Sequence, residues 1–263
     1  MIANQKDKQK RLIVGIGSAL VDILAHEEDE FLAKTRAVKG GMKYVDREFI
    51  ELAVSQTSKK PIIMPGGSAC NTVIGIGKLG GSARFVGKSG IGEMARLFEK
   101  DLKNSNVDPA LFKSPSPTGR VLSIITPDAQ RSMLTFLGAA SETQPEEITE
   151  NCFEGYLLFN EDLIMAALKG AKAAGALVSL DLASFTVVEA SKTLMKKIVK
   201  DFVDILIANE DEAKTFTGHR DEIKAVRSLS ENTQIAALKV GERGSFISHG
   251  GKIIKIEAMG SGA

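Results

Sequence analysis

Two groups of polar residues in the first third of the chain have the composition of a ligand-binding site. Asp22 follows just beyond a short apolar run at Leu12–Gly17, and its carboxylate can accept two hydrogen bonds from the hydroxyls of a sugar. Gly66 and Gly67 would let a ligand approach the backbone closely, just before a predicted helix whose first turn offers unpaired amides beside Asn71. Each group also has a structural interpretation. Asp22 could be a solvated carboxylate in a loop, and the second group could be a flexible entry with a polar helix cap.

Further polar residues follow the strands predicted in the second half of the chain. Asp181, Asn209 and Gly241 each come directly after a largely apolar run, and open α/β sheets bind ligands at the ends of such strands. Asn209 begins the sequence Asn-Glu-Asp-Glu, which ends at Glu212. The structural interpretation of this motif is an N-cap followed by acidic residues that favour the helix dipole.

Two glycine-rich patterns imitate phosphate-binding motifs, but their context does not fit. Residues 75–80 form a G-x-G-x-x-G, which in a dinucleotide fold follows a strand and begins a helix. Here the apolar spacing predicts a helix over Ser68–Lys78, so these glycines mark its end. Gly87-Lys88-Ser89 resembles the end of a phosphate loop, but position 82 is serine instead of glycine, and residues 83–86 are typical of a strand.

The elements that must position these residues alternate between strand and helix. Leu12–Gly17 has the pattern of a buried strand, and Glu93–Asn104 that of an amphipathic helix closed by a turn at Asn106–Pro109. In the second half the spacing implies a parallel sheet with helices on both faces. The predicted strands are Tyr156–Phe159, Ala176–Leu180, Ile205–Ala208 and Ile235–Val240. The predicted helices are Asp162–Ala174, Ser191–Phe202, Glu210–Phe216 and Asp221–Leu229.

A predicted hairpin interrupts this series. Gly119–Thr126 and Arg131–Leu137 are strand-like and flank the turn at Pro127–Gln130, so together they could cover a site. Arg131 lies at the turn, where a solvated charge is the structural interpretation. Residues 21–63 are mixed, with short helical pieces at Phe31–Ala33 and Phe49–Val54 and a turn that leads into a strand at Met42.

Composition excludes several classes of function. The 263 residues are 43% hydrophobic, which suits one large domain, or one domain with a small appendage. The 34 Lys and Arg balance 33 Asp and Glu, so no bulk charge favours nucleic acid or an anionic membrane. The two cysteines and three histidines lack metal-ligand or disulfide spacing. No signal region or long apolar run occurs, so we expect a cytoplasmic protein.

Together the motifs resemble the ribokinase-like (PfkB) carbohydrate kinase family, and most closely its adenosine-kinase branch. The resemblance runs from about Leu12 to the last residue. It is carried by GSALVD at 17–22, PGGSACNT at 65–72, GKSGIGEMARLFEKDLKNSNV at 87–107, NEDE at 209–212 and GERG at 241–244. It implies a three-layer α/β fold with a mostly parallel central sheet and a small β lid, whose strands lie within about 19–63 and 118–137.

The resemblance also implies a role for each motif. The substrate would be bound by Ser18, Asp22, Gly66, Gly67 and Asn71. The ATP phosphates would be bound by Asn209, Gly241 and Gly244, while Glu212 holds Mg²⁺ through water and Arg131 swings toward the transferring phosphate. Two positions depart from the family: Ser18 stands where adenosine-kinase-like members often have Asn, and Lys239 where Thr is common.

The implied activity is ATP- and Mg²⁺-dependent phosphorylation of a hydroxymethyl group on a sugar or nucleoside. It would belong to a single kinase domain, monomeric or homodimeric, with no nucleic-acid or membrane partner. The family's Gly-Ala-Gly-Asp turn does not occur up to Ala263, so we expect the catalytic aspartate beyond that residue and expect residues 1–263 alone to be inactive. Two alternatives stay open: a non-catalytic sugar- or nucleoside-binding module, and a dinucleotide-dependent oxidoreductase.

Overall fold

The computed structural model describes residues 12–144, 147 and 161–258. Its strands form three hydrogen-bonded sheets, of three, five and five strands. The strand predicted at Tyr156–Phe159 lies outside the described residues. Within the described ranges, no helix is long and apolar enough to cross a membrane.

The first sheet is parallel and contains the N-terminal strand. Its strands, in spatial order, are β1 (Leu12–Ile16), β5 (Ser82–Ser89) and β6 (Val107–Lys113). Two helices pack against it, α3 (Ser68–Lys78) and α4 (Glu93–Asn104). Val73, Phe85, Phe98 and Leu102 are buried in one cluster between these elements, and the two phenylalanine rings meet edge to face at 5.3 Å. Apolar spacing therefore predicted both helices with their observed bounds.

The second sheet is formed by the C-terminal half of the chain. Its strands are β9 (Ser179–Asp181), β10 (Ile205–Asn209), β11 (Ile235–Lys239), β12 (Ser245–His249) and β13 (Lys252–Ile256). The first three are parallel, and the last two add an antiparallel hairpin that the sequence analysis did not predict. The helices are α5 (Glu161–Ala173), α6 (Phe185–Phe202), α7 (Glu210–Thr217) and α8 (Glu222–Leu229). The predicted alternation of strand and helix is confirmed here.

One hydrophobic cluster joins these two sheets. Ile16 of β1 and Val86 of β5 belong to the same buried cluster as Leu163 of α5 and Leu206 of β10. The predicted central layer therefore consists, among the described residues, of two hydrogen-bonded sheets around a shared core.

The third sheet is the predicted lid. Its strands, in spatial order, are β3 (Met42–Tyr44), β8 (Arg131–Gly138), β7 (Thr118–Ile125), β2 (Leu20–His26) and β4 (Ile62–Gly66). β7 and β8 form the predicted hairpin. Helices α1 (Asp29–Thr35) and α2 (Arg47–Ser55) cover one face, where Ile23, Leu122 and Leu134 are buried. The opposite face is free to line a cavity.

The turn predicted at Asn106–Pro109 is wrong in all but its first residue. Asn106 has a positive φ of 58° and makes the turn, but Val107 begins strand β6. Pro109 lies inside that strand, which pairs only with β5 among the described strands. A strand with one free edge tolerates a residue that has no N–H.

Candidate functional site

A cavity of about 690 Å³ lies between the lid sheet and the carboxyl ends of β9, β10 and β11. Its walls come from the inner face of the lid, from the beginning of α3 and from the strand ends of the second sheet. The predicted site residues that line it are Ser18, Asp22, Gly67, Asn71, Arg131, Asn209 and Glu212. The fold therefore brings together groups that are up to about 190 positions apart in sequence.

Asp22 lies inside a lid strand and not just beyond β1, where the sequence analysis placed it. The chain leaves β1 after Ile16 and begins β2 at Leu20, which carries Asp22 into the lid sheet. Asp22 is only 6% exposed, and a Cβ atom at Gly66 would stand 2.2 Å from its Oδ1 atom. Gly66 does not line the cavity itself, but its lack of a side chain makes room for the Asp22 carboxylate.

Gly67 sets the close approach between helix α3 and the loop after β1. Its φ of +94° is in the left-handed region, and a Cβ atom would lie 2.8 Å from the carbonyl oxygen of Ser18. Gly67 is the N-cap of α3 and offers no side-chain cap, while Asn71 follows in the first turn. Ser18, Gly67 and Asn71 therefore meet at one wall of the cavity, and their contact with a substrate stays a prediction.

The charge of Asp22 is controlled by its burial and by Arg131. Burial raises the pKa of Asp22 above its ordinary value, and the positive charge of Arg131 counteracts this shift. Arg131 begins β8 on the same side of the lid, where its Nη2 lies 3.1 Å from the Sδ of Met133. Because the ionised carboxylate only accepts hydrogen bonds, whereas the protonated form donates from one oxygen, Arg131 favours the form of Asp22 that can accept from two substrate hydroxyls.

Asn209 and Glu212 form a reciprocal capping box at the beginning of α7. The Glu212 amide donates to Asn209 Oδ1 at 2.9 Å, and the Glu212 carboxylate accepts from the amide and from Nδ2 of Asn209 at 2.8 and 2.7 Å. Glu212 is 3% exposed, and this burial raises its pKa against the lowering effect of the Asn209 amide. The structural interpretation of the motif is therefore confirmed.

The same residues also fit a hydrated Mg²⁺. Among the described residues, no group of three or more His, Cys, Asp or Glu side chains could hold a metal ion directly. Mg²⁺ usually keeps several waters and needs few protein ligands. Each Glu212 carboxylate oxygen accepts one hydrogen bond from Asn209 and has a lone pair left for a metal-bound water. The donor set suits an ion bound through water and not one enclosed by protein ligands.

The predicted phosphate loop, Gly241–Gly244, follows β11 as a short 3₁₀ turn. Both terminal glycines have positive φ, 57° at Gly241 and 89° at Gly244. A Cβ atom at Gly244 would stand 1.9 Å from the carbonyl oxygen of Ile256, so packing against β13 already requires this glycine. Neither residue lines the cavity, and their contact with ATP stays a prediction.

The two rejected glycine patterns are structural. Residues 75–80 lie at the end of α3, where the Gly81 amide donates to the carbonyl oxygen of Ile76 at 2.9 Å. Gly87-Lys88-Ser89 lies within β5, and Lys88 forms an ion pair of 2.7 Å with Glu147. Because the first pattern ends a helix and does not begin one, it is not a dinucleotide-binding motif. Because Lys88 lies in a strand and is already paired with a carboxylate, the second pattern is not a phosphate loop.

Much of the lid side of the cavity was not predicted from the sequence. The unpredicted lining residues on the inner face of the lid include Leu20, Met42, Tyr44, Val121, Met133, Thr135 and Leu137. Alternation along the predicted strand from Arg131 to Leu137 would have found part of this set, because every second residue of a strand shares a face. Lys239 was also missed as a site residue, although it lies in the predicted strand Ile235–Val240. In the structure it ends β11 and is paired in register with Asn209.

The fold and the cavity together define an α/β protein in which a β lid covers a polar cavity at the carboxyl ends of parallel strands. This architecture agrees with the predicted ribokinase-like fold. The chain belongs to the pfkB family of carbohydrate kinases, whose model matches residues 34–261.

Sugar and nucleoside kinases are among the similar proteins. Probable fructokinase-7 of Arabidopsis thaliana is 26% identical over 218 residues, covering 74% of this chain and 62% of that protein. The guanosine-inosine kinase of Escherichia coli K12 is 23% identical over 258 residues, covering 90% of this chain and 59% of that protein. The chain thus spans about three fifths of the length of these relatives. The crystal structure of adenosine kinase from Sinorhizobium meliloti has 28% identity and a TM-score of 0.88, covering 97% of this chain and 82% of that one.

Proposed function

We propose that the protein is a kinase that transfers the γ-phosphate of ATP to a hydroxymethyl group of a sugar or nucleoside. The observation that carries this proposal is a single cavity that joins Asp22, a buried carboxylate suited to sugar hydroxyls, to Asn209 at the strand ends of the second sheet. Membership of the pfkB family supports phosphoryl transfer. The relatives include a probable fructokinase and a guanosine-inosine kinase, so both substrate classes enter the proposal.

On the lid side, the substrate would be held by hydrogen bonds to its hydroxyls. Asp22 accepts two of them, while Asn71 and Ser18 can both donate and accept. The two glycines contribute by lacking a side chain. Gly66 leaves room for the Asp22 carboxylate, and Gly67 lets Ser18 approach the beginning of α3. Fixing the acceptor hydroxyl in this way lowers the entropic part of the barrier to transfer.

On the sheet side, Asn209, Gly241 and Gly244 would bind the phosphates of ATP, and Glu212 would hold Mg²⁺ through water. When bound, Mg²⁺ supplies positive charge that offsets the charge developing on the phosphate oxygens. Arg131 and Lys239 are the two cationic side chains among the described residues of the cavity lining, and both can add charge-assisted hydrogen bonds to phosphate. The lid would exclude water from the hydroxyl that attacks.

The test is phosphoryl transfer by the product of the complete gene. It is incubated with γ-labelled ATP and ribose, fructose, adenosine, inosine or guanosine, with Mg²⁺ or with excess chelator. We expect labelled product from at least one acceptor, loss of transfer with chelator, and strong reduction in the Asp22→Asn variant. Binding of an acceptor without transfer would instead favour a non-catalytic binding module, and transfer to none of the five counts against the proposal.

A further inference from the structure

The inner face of the lid carries one row of side chains that runs across four strands. The strand register pairs Tyr44 with Thr135, Thr135 with Val121, and Val121 with Asp22. Residues paired in this way share a face of the sheet. All four line the cavity, so Thr135 belongs to the same surface as the carboxylate proposed to hold the sugar.

Two hydroxyls on this lid sheet are buried without a partner. Among the described residues, Thr135 Oγ1 and Ser123 Oγ have no hydrogen-bond partner, although the two residues are only 3% and 0% exposed. A buried hydroxyl that makes no hydrogen bond destabilises a fold, so each calls for an explanation. The two differ in one respect, which is that Thr135 lines the cavity and Ser123 does not.

The surroundings of Thr135 are largely apolar. Its cross-strand partners Tyr44 and Val121 contribute an aromatic ring and an apolar side chain, and the adjacent lining residues on the lid are Met42, Met133 and Leu137. A free sugar carries hydroxyls around its whole ring and would leave some of them unpaired against this wall, at a cost in binding. A nucleobase suits it better, because its faces are apolar and its hydrogen-bonding groups are confined to its edge.

We propose that the Thr135 hydroxyl is a specificity-determining group that binds the polar edge of the base of a nucleoside whose ribose is held by Asp22. This inference rests on the proposed function, since it concerns the acceptor substrate of the same cavity. Thr135 Oγ1 is itself shielded from solvent. A rotation about χ1 to another staggered position, which moves the hydroxyl to a place now taken by the methyl group or the hydrogen on Cβ, would bring it to the ligand.

The test compares Thr135→Val with Ser123→Ala in the full gene product. Each variant removes one unpartnered hydroxyl from the lid, and only the first alters the cavity lining. Binding of inosine, guanosine, adenosine and free ribose is measured by calorimetry without ATP, together with the unfolding temperature. We expect Thr135→Val to weaken binding of the preferred nucleoside about five- to tenfold, the effect of losing one hydrogen bond, while ribose affinity stays the same. Ser123→Ala should bind every ligand like the wild type, and neither variant should unfold at a lower temperature.

Unchanged nucleoside affinity in Thr135→Val would overturn the inference, as would a wild type that binds free sugars and no nucleoside. An equal loss for ribose and nucleoside would also overturn it, because the hydroxyl would then act on the sugar or on the fold. If nucleoside binding depends on Thr135 but no phosphate is transferred, the proposed kinase activity fails and this inference stands.

Discussion

The Nζ atom of Lys239 donates a hydrogen bond to Oδ2 of Asp181 at 2.9 Å and so connects two strands that are not neighbours. Lys239 ends β11 and Asp181 ends β9, while β10 with Asn209 lies between them. Both residues line the cavity, and the lysine side chain is half exposed. An ion pair with this exposure adds little stability and can be exchanged easily for a ligand.

We therefore predict that Lys239 contributes to the binding of ATP. Lys239→Met should weaken MgATP binding roughly three- to tenfold, because a charge-assisted hydrogen bond to phosphate is lost at a partly exposed position. Lys239→Thr restores the residue that is common in the family and should lose less affinity than Lys239→Met. The measurement is calorimetric titration with MgATP.

The control for this prediction is Lys255→Met. Lys255 lies in β13, forms an ion pair with Glu257 just after that strand, and does not line the cavity. Removing the charge of Lys255 should therefore leave MgATP binding unchanged. Equal or tighter binding of MgATP by Lys239→Met would mean that Lys239 only neutralises Asp181.

Asp22 should be required for substrate and not for folding. Asp22→Asn and Asn71→Ala should each weaken binding of the acceptor substrate by ~1–3 kcal/mol, the effect of removing a hydrogen bond to a charged or buried group. Asp108→Asn serves as a control, since Asp108 forms an exposed ion pair with Arg84 on the first sheet. Normal substrate affinity combined with a large fall in unfolding temperature would make Asp22 a structural residue.

The stability of Asp22→Asn has a predictable dependence on pH. Because burial raises the folded-state pKa of Asp22 above its ordinary value, the folded state holds the proton more tightly than the unfolded state. Ionised Asp22 therefore destabilises the fold, and this destabilisation develops as the pH rises from the ordinary pKa to the raised one. At neutral pH the variant should be at least as stable as the wild type in denaturant unfolding, and the difference should shrink below the ordinary pKa.

Arg131 should set the pH at which substrate binding is lost. The wild type should release substrate as the pH falls through the pKa of Asp22, because protonation removes an acceptor. Arg131→Gln takes away the charge that lowers this pKa, so the midpoint of the loss should move to higher pH. Arg84→Gln is the control, and its midpoint should match the wild type. Coincident midpoints for Arg131→Gln and the wild type would show that Arg131 does not act on Asp22.

The elements were predictable where a local pattern alone determines them. The apolar residues of helices α3 and α4 recur at helical spacing, so the sequence alone identifies the helices and the face that packs against the sheet. The bounds of both helices were therefore predicted correctly. Strand β6 was missed because Asn106 and Pro109 are typical of a turn. A proline is tolerated in this strand because one of its edges is free, and that free edge depends on the order of strands in the sheet, which the local sequence does not reveal. The β12–β13 hairpin, whose strands follow Gly244 and turn at Gly250–Gly251, was not predicted, because the predicted series of strands and helices ends at Val240.

The site residues that belong to sequence motifs were predictable. Those that face the cavity because of how the lid strands align with one another were not. Asp22, Asn71 and Asn209 stand at positions that the family resemblance marks, and the fold brings them to one cavity. The neighbours of Asp22 across the lid depend on how β2, β7 and β8 align. Thr135 therefore could not be placed beside Asp22 from the sequence, although its strand had been predicted.

Substitutions of Glu212 should separate its two roles. Its carboxylate caps α7, and in the proposed function it also holds Mg²⁺ through water. Glu212→Ala leaves the amide and Nδ2 of Asn209 without their acceptor and should lower the free energy of unfolding by roughly 1–3 kcal/mol. Glu212→Gln can keep one of these hydrogen bonds and should lower it less.

Both variants remove the negative charge, so both should weaken binding of MgATP more than binding of ATP measured with excess chelator. Asp221→Ala is the matched control, because Asp221 caps α8 by accepting from the Lys224 amide at 2.8 Å and does not line the cavity. It should lower stability by about 1 kcal/mol and leave the ratio of MgATP to ATP affinity unchanged. If Glu212→Gln also leaves that ratio unchanged, Glu212 is a helix cap only, and the Mg²⁺ of the proposed reaction must be held by other residues.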